Sequence, residues 1–337
     1  NGDLLQLTGR AELVLAGEEV SSFQGAERLW RLHVDKAVRR RGVLKLRWSP
    51  GEVSPNSLLT GSWDEALARQ KAQGLRNQWR RFRITHIINE SSTIKSFHLE
   101  ATDGAGLPLF KAGQHLPIRL AVAAGGAPVI RTYTLSAAPS DGYYRISVKR
   151  EGRVSQFLYA HTAVGDEIEA RAPLGNFVVD PHERRPLVLL SAGVGITPML
   201  AMLREVVYEG VRTRRVRQTF FVHASRTLAE RAFASELQEL IERADGAVEA
   251  VRILSQPEPT AVLGSDYDVQ GRIDLPLLKA ILPFDDFDFY LCGPAAFAQD
   301  LYDGLRAMQI ADERIHVEQF GPSSLRRRVT EAAAQHP

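Results

Sequence analysis

Leu187-Val-Leu-Leu190-Ser-Ala-Gly193-Val-Gly195-Ile-Thr197-Pro198, running on into the apolar helical pattern Pro198–Tyr208, is the stretch from which the architecture can be read. Unbroken apolar residues mark a strand buried on both faces, the kind found in parallel sheets. Glycines at its end let the backbone turn sharply and let a ligand approach. Thr197 can cap the following helix, and Pro198 suits its first turn, where the missing N–H had no intrahelical partner. Such a helix start offers free N–H groups and about half a positive charge to an anion, a pyrophosphate for example. The third glycine of the usual dinucleotide fingerprint is absent, however. On this stretch alone, nucleotide binding and a plain tight turn both stand.

Downstream the same grammar repeats. Apolar runs Phe220–Val222 and Phe289–Leu291 alternate with helical stretches Glu230–Glu242 and Ala295–Met308, while Val248–Leu254 and Ile315–Val317 add two further strands. Residues 182–322 therefore read as a doubly wound parallel α/β sheet. Upstream, residues 80–181 carry six short β-branched or alternating runs: Arg83–Ile88, Ile94–Glu100, His115–Leu120, Ile130–Leu135, Tyr143–Lys149 and Glu167–Ala170. With one helical piece, Val154–His161, this fits a small antiparallel barrel. Residues 1–48 give strands Leu4–Leu7, Ala11–Leu15 and Leu29–Val38 with turns at Gly17 and Gly25, too little for a closed β domain. Residues 49–79 read as a linker, Ser49–Gly61, then a capping box at Ser62–Glu65 and a basic helix to about Gln78. The six Lys/Arg between Arg69 and Arg83 read as a solvated face, with a docking patch as the alternative. The tail Ser323–Pro337, with Arg326–Arg328, reads as linker.

Composition narrows the function. A net charge of +2 over 337 residues gives no bulk electrostatic case for nucleic acid or anionic membrane. The single cysteine, Cys292, excludes an internal disulfide and an iron–sulfur cluster held within this chain. No apolar run approaches the ~20 residues of a membrane span, and the nine His show no metal-ligand spacing. A cytoplasmic protein is expected. The sequence opens without Met and both ends read as cut.

Two more motifs carry chemistry. Arg131-Thr132-Tyr133-Thr134 lies on a barrel strand, where Arg can grip a diphosphate bidentately and Tyr offers a flat face to a ring system. Its bland counterpart is an Arg and Tyr facing outwards. Leu291-Cys292-Gly293-Pro294 ends a buried strand. A Cys there is commonly a small core residue, yet the carboxyl end of such a strand is also where ligands sit.

The order of these motifs resembles the ferredoxin–NADP reductase superfamily, in its flavohaemoglobin and oxygenase-reductase branch, over roughly residues 80–322. The resemblance implies that Arg131, Thr132, Tyr133 and Thr134 hold FAD, with Thr134 near flavin N5. It implies that Val148, Lys149, Arg150, Gly152, Val154, Ser155 and Gln156 cradle the FAD pyrophosphate. Gly193, Val194, Gly195, Ile196, Thr197, Pro198, Cys292, Gly293 and Pro294 would form the NAD(P) site. Glu318, Gln319, Phe320 and Gly321 match the terminal strand that approaches the flavin. Thr134, Cys292 and Glu318 are the residues expected around the reacting atoms. There are two departures. His115 stands where the family often has an aromatic after Phe-x-x-Gly-Gln, here Phe110–Gln114, and Thr134 replaces the commoner Ser. Gly2–Arg10 and Gly25–Trp30 resemble the end of a pyridoxamine-phosphate-oxidase-like FMN split barrel. The chain thus resembles part of a split barrel–reductase–ferredoxin hybrid. FMN would need the missing part of that barrel, and no FMN residues are assigned.

The implied activity is hydride transfer from NAD(P)H to FAD, then single-electron transfer to an iron–sulfur or haem acceptor, with a plant-type ferredoxin domain expected. The rival readings are a flavin-binding interaction module without turnover and an oxidase reducing O2 directly. The second strand, Phe220–Val222, runs into His223-Ala-Ser225-Arg226-Thr227 with no acid before Glu230. An acid there would favour NADH, so Ser225 and Arg226, helped by Arg231, point to NADPH. Arg226 stacked on adenine or facing solvent is the alternative.

Overall fold

A computed structural model describes residues 4–16, 28–41, 44–48, 71–72, 74–122, 126–321 and 324–327, with side chains from residue 71 onward. Contacts divide the chain into two units, 1–62 and 63–337. In the first, β1 (Leu4–Ala16), β2 (Arg28–Arg41) and β3 (Leu44–Trp48) pair antiparallel in sequence order. The two short strands expected before Gly17 form one continuous strand. Gly9 stays paired, with Val34, and the adjacent register shift places the extra residue, Asp35, on β2, where the sequence suggests a break in β1.

The Ser49–Gly61 linker and the Ser62–Glu65 capping box lie outside the described residues. The basic helix ends earlier than Gln78: Lys71, Ala72 and Gly74 are helical, and the chain turns over Leu75–Asn77. Nor is its charge merely a solvated face. Arg80, 6% exposed, grips Asp103 through two hydrogen bonds of 2.8 and 2.7 Å and donates to the carbonyls of Ala105 and Gly106. Arg76 donates to the carbonyls of Leu109 and Pro173.

The barrel consists of β4 (Arg80–Asn89), β5 (Ile94–Ala101), β6 (His115–Leu120), β7 (Val129–Thr134), β8 (Tyr144–Lys149) and β9 (Glu167–Ala170). The order is β7-β6-β9-β4-β5-β8, antiparallel throughout, with a Leu135–Ile146 bridge between the outer two strands. Period-two alternation turns Phe82, Ile84, Phe97, Leu99, Leu116, Ile118 and Ile146 inward, where they are almost wholly enclosed. Helix α1 (Arg153–His161) adds Val154 and Leu158 to this core.

The second domain is a six-stranded parallel sheet: β10 (Leu187–Ala192), β11 (Thr219–Ser225), β12 (Val248–Leu254), β13 (Val269–Gln270), β14 (Asp288–Gly293) and β15 (Ile315–Gln319), in the order β13-β12-β11-β10-β14-β15. Alternate residues feed two separate cores. Leu187, Leu189, Phe221 and Tyr290 pack with α2 (Ile196–Thr213) and α3 (Ala234–Arg243). Val188, Leu190, Phe220 and Phe289 pack with α4 (Leu275–Ile281) and α5 (Ala295–Ala307). The strand order reverses direction at β10 and β14, and ligands bind in the crevice at such a switch point.

Four local expectations change. Thr197 is not the cap of α2. The helix starts at Ile196, and the Thr197 hydroxyl donates back to the Val194 carbonyl at 3.0 Å. The Glu230 helix begins only at Ala234, because Phe233 takes a left-handed conformation, φ 60°, to bury its ring. Helix α4 was not anticipated, although Asp274 caps it through the Leu277 N–H at 2.9 Å. Finally, Ser324–Arg327 do not behave as linker. Leu325 packs on the α5 side of the sheet, Gln299 pairs with the backbone N–H and C=O of Arg326, and Arg327 meets Asp312 at 2.6 Å.

Candidate active site

A cleft of about 650 Å³ opens where the barrel meets the carboxyl ends of β10 and β15. Arg131, Thr132, Tyr133 and Thr134 line it from β7, and His115 lines it from β6. The turn into α1 contributes Gly152, Val154 and Ser155, the nucleotide domain Val194 and Thr197, and the end of β15 Glu318, Gln319, Phe320 and Gly321. Motifs 190 residues apart in sequence thus share one surface, from Arg131 to Gly321. Ser147, Glu151 and Arg153 also line it and were missed. Ser147 stands two residues before Lys149 on β8, so strand alternation alone places both on the cleft side.

The α1 start is built by one side chain. Ser155 Oγ accepts the N–H groups of Gly152 at 2.8 Å and Glu151 at 3.1 Å, and donates to the Gly152 carbonyl at 2.9 Å. The first-turn amides that follow, at Arg153, Val154 and Ser155, have no intrahelical acceptor and can face an anion. Arg131 is exposed, and its Nη1 donates only locally, to the Ile130 carbonyl at 2.8 Å. Val148 lies in the barrel core, and Arg150 stacks over Tyr159 at 5.0 Å; neither they nor Gln156 line the cleft.

Buried polar atoms here lack partners. Glu318 Oε2 and Gln319 Oε1 are enclosed with no hydrogen-bond partner in the protein, and such atoms call for a ligand or water. Burial raises the Glu318 carboxyl to about 7 and lowers His115, whose Nδ1 stands 4.0 Å from Glu318 Oε1. Both therefore lean towards neutral forms. Because the folded protein holds this proton more tightly than the unfolded chain, Glu318 adds no penalty below pH 4.5. Stability is lost as pH rises from there to about 7, and the loss is constant above. In protein freed of flavin, Glu318→Gln should match wild type in urea unfolding at low pH. Above neutrality it should be more stable by on the order of 2 kcal/mol. Equal midpoints at both pH values would show that the carboxyl is not held protonated.

On the nucleotide side, Gly193 (φ 56°) and Gly195 form a tight turn ahead of Ile196, Thr197 and Pro198, all three buried. A Cβ at Gly195 would stand 2.1 Å from the Cys292 carbonyl oxygen, so the turn rests directly on β14. Gly293 likewise leaves room for the Phe297 ring, and Pro294 precedes α5. The Cys292 thiol is fully buried beside Glu318 in the β14–β15 register, and burial raises it well above the usual thiol range. It does not line the cleft. Ser225 Oγ is turned to the Thr227 carbonyl. Arg226 is not free: Glu230, an acid beyond the strand end, folds back to pair with it at 2.9 Å. Arg231 donates to the Asp266 carbonyl.

Residues 81–179 match the oxidoreductase FAD-binding domain family and residues 189–303 the oxidoreductase NAD-binding domain family. The chain is 40% identical to a flavohemoprotein of Chromobacterium violaceum over 258 residues, covering 74% of this chain and 62% of that one. It is 36% identical to a flavohemoprotein of Rhizobium meliloti over 284 residues, covering 82% and 69%. It thus spans roughly two thirds of these relatives. Among solved structures, the flavohem-like FAD/NAD binding domain of nitric oxide dioxygenase from Vibrio cholerae is 34% identical with a TM-score of 0.63, covering 72% of this chain and 99% of that domain. The barrel, the switch-point sheet and the cleft between them agree with these matches: the chain belongs to the ferredoxin–NADP reductase superfamily, in its flavohaemoglobin branch of FAD-dependent NAD(P)H oxidoreductases.

Proposed function

We propose that the chain is the reductase part of an electron-transfer protein, accepting hydride from NAD(P)H and passing electrons singly to a haem or iron–sulfur centre outside it. What supports this is the cleft, in which the Arg131–Thr134 strand and the α1 start face the Val194–Thr197 turn. FAD, when bound, takes up a hydride and can release electrons one at a time. Arg131, with the α1 amides at Arg153–Ser155, would hold its diphosphate, and Tyr133 would pack on its ring system. Thr134 would offer its hydroxyl at the reacting edge, and Glu318 would hold a proton there. Cys292, its thiol enclosed, would act by supporting the Gly293–Pro294 crevice and Glu318. Anaerobic mixing with NADH or NADPH should bleach the bound flavin. Flavin that stays oxidised with both would mark a binding module without turnover. Rapid oxygen consumption without a carrier would mark an oxidase.

For the acceptor, the flavohemoprotein names of the relatives favour haem over the plant-type ferredoxin domain expected from the resemblance. The three-stranded first unit is consistent with the end of a split barrel. A cytoplasmic setting fits an NAD(P)H user, and among the described residues no helix is long and apolar enough to cross a membrane.

Glu230, rather than Arg226 alone, would set the nucleotide preference. A 2′-phosphate would have to displace that carboxylate from the guanidinium, whereas NADH requires no displacement. This moves the preference from NADPH towards NADH. Glu230→Gln should lower the KM for NADPH by roughly 5-fold or more and leave that for NADH within about 2-fold. An unchanged NADPH/NADH ratio would show that the phosphate is not read at this pair.

A further inference from the structure

The connection between β7 and β8 is bound to the nucleotide domain by four buried charges. Arg145, on β8, directs Nη1 to Glu236 Oε2 at 2.7 Å and Nη2 to Glu236 Oε1 at 3.0 Å, while its Nε holds Ser136 Oγ at 3.0 Å. Arg204, on α2, pairs through Nε and Nη2 with both oxygens of Asp141, at 3.1 and 2.7 Å, and through Nη1 with Glu236 Oε1 at 2.5 Å. Asp141 in turn accepts the Ala138 N–H at 2.7 Å, which fixes the turn it stands on. All four side chains are at most 18% exposed. Burial opposes ionisation of Glu236, yet the two guanidiniums hold its carboxyl below the usual range.

Stability does not explain such an arrangement well. Buried ion pairs are often matched or bettered by apolar side chains of similar volume. An apolar contact, though, can slide, whereas two forked guanidiniums sharing one carboxylate fix direction as well as distance. The elements so fixed are those that carry the cleft. Strand β7 bears Arg131–Thr134, and β8 bears Ser147, whose hydroxyl lies 2.6 Å from Ser136 Oγ. Helix α2 begins at the Gly193–Gly195 turn, and α3 follows the loop with Arg226 and Glu230.

We propose that Arg145, Glu236, Arg204 and Asp141 form an interdomain clasp of positioning residues that sets the distance and angle between the nicotinamide and the flavin. None of the four lines the cleft. This rests on the reductase reading above, in which NAD(P)H gives up a hydride, two electrons and one proton, to FAD and leaves as NAD(P)+ with the reduced flavin anion.

The test is anaerobic stopped flow on the FAD-loaded protein, following flavin reduction against nucleotide concentration, with FAD content and thermal melting measured alongside. Misplacement of reacting groups by about 1 Å can cost on the order of 100-fold in rate. Glu236→Gln should therefore lower the limiting reduction rate roughly 10- to 100-fold. Nucleotide Kd should stay within about 3-fold and FAD content should be full. Arg204→Lys, which keeps the charge and loses the fork, should fall between that variant and wild type. Should Glu236→Gln not fold, Arg204→Lys and Asp141→Asn each break one arm and decide the matter. Limiting rates within about 2-fold of wild type, with only the melting temperature lowered, would overturn the clasp as a positioning device. If wild type itself is reduced by neither nucleotide, it is the reductase reading that fails.

Discussion

Gly195→Ala should cost the protein both its nucleotide binding and a large part of its stability. Gly195 has ordinary helical angles, φ −60° and ψ −10°, so alanine brings no backbone strain. The obstacle is steric. Its Cβ would lie 2.1 Å from the Cys292 carbonyl oxygen, 2.5 Å from the Cys292 carbonyl carbon and 2.9 Å from the Gly293 nitrogen. Those atoms belong to β14, hydrogen-bonded between β10 and β15, and cannot rotate away as a side chain would. Relief requires β10 and β14 to part at the switch point, where the nucleotide is proposed to bind. A cost of about 3 kcal/mol or more is expected. Gly193→Ala is the contrasting case. It meets open space and pays only for its positive φ, about 1 kcal/mol. Thermal melting and nucleotide titration of the two variants should separate them widely. A Gly195→Ala protein that melts like wild type would mean that the turn does not rest on β14.

Arg131→Ala should yield folded protein largely free of flavin. The side chain is exposed and its hydrogen bond is to a neighbouring carbonyl, so the barrel loses little without it. Against a diphosphate, a charge-assisted bidentate pair is worth about 3 kcal/mol, or roughly 100-fold in Kd. Flavin-to-protein ratio after gel filtration, with far-UV dichroism as the control on folding, measures this directly. Full flavin occupancy in the variant would remove Arg131 from the binding site.

The sequence was most legible where burial leaves one choice. Val248–Leu254 was bounded to the residue, and Leu187–Leu190, Phe220–Val222 and Phe289–Leu291 all lie within parallel strands, because an apolar run enclosed on both faces has few other fates. The barrel strands were found for a related reason, their alternation, and β6 and β9 agree at both ends. What sequence could not supply was the choice of partner. Thr197 carries a capping hydroxyl, but the chain had already entered the helix one residue earlier. Arg226 looked available to a phosphate because Glu230 lies four residues on. The local turn of the backbone brings the two together all the same. Ser324–Arg327 has a linker's composition, yet Leu325, the Gln299 amide and the Arg327–Asp312 pair dock it beside α5. Cys292, placed near the reacting atoms by family pattern, has its thiol wholly inside the sheet. Each of these details depends on packing or turn geometry that composition does not encode.

The interior of the barrel is filled by its own side chains: Phe82, Phe97 and Tyr144 are each at most 1% exposed, and Tyr144 closes one end by donating to the Pro108 carbonyl. Of the groups proposed to meet FAD, by contrast, Arg131 and Phe320 belong to no core. A cofactor held this way is an added ligand and not a structural filling. Its release should be reversible, so that apoprotein can be prepared and reloaded with flavin analogues of altered redox potential. The melting temperature should then climb with the logarithm of free FAD, as stability gains about 2.7 kcal/mol at a hundred times the dissociation constant.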